Sequence, residues 1–92
     1  MLDLEDKRVN GPAIRLNSGD NVAVALREIA SGIALPDSNV VTRDIVPAGY
    51  KVAMQDISQD EPILKYRVTV GFAKTDLPAG TMLHSHNVEF RE

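Results

Sequence analysis

The sequence predicts a mainly β domain, and three observations carry that prediction. Apolar stretches run to five or six residues at most and are punctuated by Gly, Pro, Asn, Asp and Ser. One nine-residue segment, 64–72, alternates apolar and polar positions with the period of a strand. Helical spacing is available only over residues 21–31.

The chain opens with five charges in the seven positions 3–9, and Asn10-Gly11-Pro12 then breaks it, so residues 1–12 are expected to form a flexible lead-in to a domain over 13–92. Strands are expected within 13–16, 22–26, 40–45, 52–54, 64–72 and 87–90. Over 21–31, Val22, Leu26 and Ile29 share a helical face and Asp20 or Asn21 stands where a cap belongs, whereas Val22 and Val24 favour a strand followed by a turn. In segment 64–72 every even position is apolar, which predicts one strand with its even face in the core. Gly71 marks a bend or bulge before Phe72. Asn10, Pro36 and Asp37-Ser38-Asn39 read as loops.

A weak internal repeat joins these pieces. Glu28-Ile29, Asp44-Ile45, Asp56-Ile57 and Asp76-Leu77 each pair an acid with an aliphatic residue before a turn. The acid can accept from nearby backbone N–H groups, the aliphatic residue can plug the core, and the turn reverses the chain. Four such corners suit a compact barrel of short bent strands.

Composition narrows the function. With 92 residues, 43% hydrophobic and 25% charged, the chain is one globular domain's worth of sequence. Aromatics are only 4% and Trp is absent, so the core is aliphatic and stacking platforms for single-stranded nucleic acid are few. Ten scattered basic residues against thirteen acidic ones give a net charge of -3, which argues against a phosphate-backbone partner. No apolar run is long enough for a transmembrane helix, no signal-peptide core is seen, and cysteine is absent, so a cytoplasmic location is expected.

Few residues can carry chemistry. On an extended strand His84 and His86 of His84-Ser85-His86-Asn87 would point the same way about 7 Å apart, able to converge on a metal or an anion. The same residues also read as two solvated histidines lacking a third ligand. Lys51 and Lys65 can each receive a carboxylate or simply be solvated. Tyr50 and Tyr66 read first as half-buried residues with outward hydroxyls, and Asp20-Asn21 as a turn or cap. Nucleotide-loop, nucleophile-elbow and zincin motifs are absent.

Taken in order, Asp20-Asn21-Val22-Ala23-Val24-Ala25-Leu26, Pro47-Ala48-Gly49-Tyr50-Lys51-Val52-Ala53, Asp56-Ile57, Lys65-Tyr66, Val70-Gly71, Ala73, Asp76-Leu77, Gly80 and His84-Ser85-His86-Asn87 resemble the small SAF-type domain of the altronate and galactarate dehydratase family. The resemblance implies a β-clip, a small barrel of bent strands with one or two short helical turns. It also implies a hydro-lyase acting on sugar acids, in which a larger catalytic subunit or domain is the partner and homo-oligomerisation is open.

A divalent metal such as iron, manganese or magnesium, held jointly with that partner, would assist the reaction. The resemblance offers His84 and His86 as metal contacts and Lys51, Lys65, Tyr66 and Asn87 as substrate contacts, and it assigns no catalytic residue. Two positions depart from the family pattern: Tyr50 stands where His is usual, and Arg67 where Gly follows Lys-Tyr. A phenol does not take up a proton near neutrality as an imidazole does, though it can donate a hydrogen bond. Two other readings share the fold: a carbohydrate-binding or assembly module without catalysis, and a related lyase that expels a group other than water.

Overall fold

The computed structural model describes residues 11–36 and 38–90. Seven short strands form two antiparallel sheets, and among the described residues there is no helix. The first sheet has the order β1 (Ala13–Ile14), β2 (Val22–Ala25), β3 (Lys51–Ala53), β6 (Met82–Leu83); the second is β4 (Pro62–Lys65), β5 (Val68–Ala73), β7 (Val88–Glu89). The mainly β prediction therefore holds, the strand reading of 22–25 prevails, and the expected short helical turns are not found. Most of the expected lead-in lies outside the described residues, as does Asp37. Pro12 is tied in, its carbonyl accepting from the Leu26 N–H at 2.7 Å.

Strands β2 and β3 run through the middle of the molecule and divide its core in two. Val22 and Ala53 face one apolar cluster with Ile57, Ile63, Ala73, Leu77 and Leu83. Ala23, Ala25 and Val52 face another with Ile29, Leu35, Val40 and Val46. A strand buried on both faces has no polar side, which is why 22–25 reads as an unbroken apolar run. The second sheet covers the first cluster. The long connection from β2 to β3 covers the other, locked by buried Thr42, whose hydroxyl donates to Ala30 O at 2.7 Å and accepts from Ile33 N at 2.8 Å.

Segment 64–72 is two strands rather than one. β4 and β5 form a hairpin whose two-residue turn is Tyr66-Arg67, with φ of 57° and 64°. Positive φ at both central positions is the type I′ geometry that matches strand twist. The two-residue turn pairs Lys65 with Val68, so even positions on either side of it lie on opposite faces, and the unbroken alternation of 64–72 gives no sign of the reversal. The inward face also differs from expectation: Ile63, Gly71 and Ala73 are buried, while Val68 is 60% exposed. The bulge expected near Gly71 is present, as a register shift opposite Ile63/Leu64 that leaves Val70 unmatched. Residues 40–45, expected as a strand, form no ladder, and Val41 makes an isolated bridge to Ala34.

The four corners dock in pairs. Ile29 and Val46 exchange backbone hydrogen bonds of 2.8 Å each, and Ile57 and Leu77 exchange bonds of 2.9 and 2.7 Å. Asp56 accepts from Ala79 N and Asp76 from Gln59 N, both at 2.9 Å, so each acid serves the opposite corner of its pair rather than its own turn. Asp44 reaches β6, accepting from Met82 N at 3.1 Å. Ile29, Ile57 and Leu77 are the expected plugs, but in the Asp44 corner Val46 is buried and Ile45 is 58% exposed.

Candidate functional site

Strand register brings Lys51 and the histidine turn to one end of the first sheet. Lys51 pairs with Leu83, and His84 follows directly. The preceding turn is fixed by Gly49, with φ of 84°, and by the Tyr50 carbonyl, which accepts from Ala25 N at 2.9 Å. Tyr50, Lys51, His84 and Ser85 thus line the polar side of a groove of about 330 Å³, whose floor is Ile63, Val70, Leu83 and Val88 and whose rim carries Phe90. Partial burial, and then the like charge of Lys65, hold the Lys51 ammonium below its ordinary pKa. Lys65 accordingly sits within electrostatic reach of the groove without lining it.

His84-Ser85-His86-Asn87 is a turn, so the spacing of about 7 Å that an extended strand would give the two imidazoles does not apply. Asn87 builds it: its Oδ1 accepts from His84 N and its Nδ2 donates to Met82 O, both at 2.9 Å. The His84 carbonyl accepts from Asn87 N and Val88 N at 3.1 and 3.0 Å. Outside the turn, the Lys74 ammonium donates to Ser85 O at 3.1 Å. The Asn87 amide is therefore engaged at both ends by backbone.

The turn folds the two imidazoles together more tightly than a strand would. Their ring centroids are 4.8 Å apart at 76°, and Nδ1 of His84 lies 3.0 Å from Nδ1 of His86. His86 N donates to His84 Nδ1 at 3.1 Å, which makes that nitrogen an acceptor and places the proton of neutral His84 on Nε2. Two imidazole donors bound at right angles about 2.1 Å from one ion would lie about 3.0 Å apart. The separation of the two Nδ1 atoms equals that spacing, but here it is a hydrogen-bond contact between them. Coordination by His84 Nδ1 would displace the His86 N–H contact. Among the described residues no three His, Asp or Glu side chains gather, so further ligands would have to come from elsewhere.

The remaining sequence candidates lie apart. Tyr66 is at the hairpin tip, 64% exposed. Asp20 and Asn21 prove more consequential than a local cap. The buried Asp20 carboxylate accepts from Tyr66 N and Arg67 N at 2.7 and 2.8 Å. The Asn21 amide pairs with β4 as another strand would, donating to Pro62 O at 2.9 Å and accepting from Leu64 N at 2.8 Å. Nothing local in the sequence signals these contacts, since they span more than forty residues. Positive φ at Arg67, where the family pattern has Gly, is the one hint.

The architecture thus defines a small two-sheet β module with a cationic, imidazole-edged groove at one end. The chain belongs to the altronate/galactarate dehydratase SAF domain family, whose model matches residues 11–91. It is 37% identical over 76 residues to an altronate dehydratase of Escherichia coli, covering 80% of this chain and 15% of that protein. To an altronate dehydratase of Bacillus subtilis it is 33% identical over 78 residues, covering 83% and 16%. The α subunit of a (2R)-sulfolactate sulfo-lyase of Chromohalobacter salexigens is 36% identical over 47 residues, about half of each chain. This chain therefore spans about 15% of the length of the altronate dehydratases it matches. No helix among the described residues is long and apolar enough to cross a membrane.

Proposed function

We propose that this chain is the small module of a cytoplasmic, metal-assisted sugar-acid dehydratase of the altronate or galactarate type, completing a site on a larger catalytic polypeptide. The observation that carries the reading is the juxtaposition of Lys51 and His84 at one groove, in a chain whose family relatives are dehydratases several times its length. The reaction class removes a proton beside a carboxylate and expels a hydroxyl as water. Lys51, partly desolvated and repelled by Lys65, has electrostatic reason to take a substrate carboxylate, and Lys65 reinforces the attraction. Tyr50 offers a hydrogen-bond donor on the same rim, and Tyr66 reaches substrate only if the partner brings it there.

His84 and His86 would hold one edge of a divalent ion such as iron, manganese or magnesium, with the partner supplying the other ligands. When bound, such an ion polarises the carboxylate and the departing oxygen. Asn87 acts by holding the turn that brings the imidazoles together. The test is to combine this chain with the large dehydratase polypeptide of its own organism and assay sugar-acid dehydration. Complex formation with a gain of activity is expected; absence of both would overturn the reading.

A second reading, an assembly or carbohydrate-binding module without catalysis, draws on the mainly apolar floor of the groove and the internal engagement of Asn87. The sulfo-lyase relative supports a third, in which a group other than water leaves a carboxylated substrate.

A further inference from the structure

We propose that the groove between Tyr50 and Phe90 is the docking surface for the larger catalytic polypeptide, receiving one of its apolar side chains on the groove's aliphatic floor. This rests on the reading of the chain as a small module and adds where, and by what chemistry, the two parts meet.

The groove's floor is the first argument. Ile63, Val70, Leu83 and Val88 are aliphatic, and at the rim Phe90 is 79% and Tyr50 46% exposed. A sugar acid carries a hydroxyl on each carbon between its ends, so its C–H groups cover such a floor less completely than an aliphatic side chain does. A buried apolar anchor set in a pocket with aromatic walls is, by contrast, the usual centre of a protein interface. Charge is the second argument. Lys51 stands on the polar side of the groove, with Lys65 close enough to disfavour its ammonium. An apolar anchor on the floor leaves that ammonium at the groove's polar edge for the substrate carboxylate, so docking and substrate binding use different parts of one groove. Length is the third. The altronate dehydratases that match this chain carry about 85% of their sequence outside the matched part (100% less the 15% covered), enough to furnish the partner surface. Docking here would lay the polypeptide against His84 and Lys51, where the shared site needs it.

The test measures binding of this chain to the large dehydratase polypeptide by calorimetry, for wild type, Phe90→Glu and Val41→Glu. Both substituted residues are exposed, Val41 at 49% and away from the groove, so neither change disturbs the core; thermal melting checks this. Phe90→Glu should weaken binding roughly tenfold or more, and Val41→Glu should leave it within about twofold. Equal affinities for wild type and Phe90→Glu, or equal loss in both variants, would overturn the docking site while leaving the small-module reading intact. Failure of wild type to bind at all would overturn that reading as well. If the isolated chain dimerises and Phe90→Glu abolishes the dimer, the occupant is a second copy and the proposal falls.

Discussion

Asp20 holds Arg67 in a left-handed backbone conformation from forty-seven residues away: its carboxylate accepts Arg67 N at 2.8 Å and Tyr66 N at 2.7 Å, and it is itself buried. Left-handed geometry costs a non-glycine residue roughly 1–2 kcal/mol, and two consecutive residues adopt it here. The charge-assisted bonds offset that cost.

Asp20→Ala should therefore destabilise the fold by about 2–4 kcal/mol, since it removes both bonds and leaves two backbone donors without their acceptor. Urea unfolding measures it. Arg67→Gly should act oppositely, adding up to about 1 kcal/mol because Gly enters the left-handed region freely. A destabilising Arg67→Gly would mean that the arginine side chain, not its backbone, matters at this position.

Much of the fold was legible in the sequence because it rests on local chemistry. Gly49 and the Asp-aliphatic pairs mark real reversals, and the Val-Ala run of β2 forms a strand because both of its faces are covered. What escaped notice depends on partners distant in sequence. The hairpin hidden in 64–72 is stabilised by Asp20, and the corner acids serve opposite corners, 23 residues away for Asp56 and 17 for Asp76. At the candidate site the sequence singled out the histidines but not their geometry, because Asn87, three residues after His84, closes a turn through a side-chain bond to the His84 N–H.

The paired corners predict coupling. Asp56 and Asp76 flank the same Ile57–Leu77 bridge, each accepting one backbone N–H from the other's corner. Each Ala substitution should cost about 0.5–1.5 kcal/mol. Once one bond is lost the corners separate and the second bond weakens, so the double variant should lose less than the sum, with a coupling of about 0.5 kcal/mol or more. Strict additivity in a double-mutant cycle would show the two corners to be independent.

Gly80 and Gly49 both have positive φ, at 92° and 84°, yet only one is sterically enclosed. A Cβ at Gly80 would overlap the Val41 carbonyl oxygen, whereas at Gly49 nothing lies within 4 Å. Gly49→Ala should cost only the conformational term, about 1 kcal/mol. Gly80→Ala must also displace backbone and should cost about 3 kcal/mol or more. Similar losses for the two variants would contradict the close approach of Gly80 to the 40–43 loop.

Lys51 predicts a pH dependence. Its pKa in the folded chain lies below the 10.5 of a free lysine, chiefly through burial and secondarily through Lys65. Between the folded value and 10.5 the unfolded chain binds more protons, so stability rises with pH across that window, and below it the penalty on the ammonium is fully present. Lys51→Met abolishes the effect. The stability difference between wild type and Lys51→Met should shift in favour of wild type as pH rises from neutrality to about 10, and Lys65→Met should reduce the shift. A difference that stays constant with pH would contradict the lowered pKa.

The histidine turn makes the last prediction. With Nδ1 atoms 3.0 Å apart, His84 and His86 stand in hydrogen-bond contact at a spacing that two ligands of one ion would also have, and the described residues supply no third protein ligand beside them. The isolated chain should therefore bind manganese(II) weakly, selectively broadening the imidazole resonances of both histidines. His86→Ala should abolish the effect at His84, because a lone imidazole retains little affinity for this hard ion. Asn87→Ala keeps both donors but removes the bonds that close the turn, so it should weaken broadening without eliminating it. In the complex with the large polypeptide the affinity should rise as the missing ligands join. Imidazole signals unmoved by manganese(II) in both the isolated chain and the complex would leave the histidines a structural role, with His84 Nδ1 serving as acceptor for the His86 N–H.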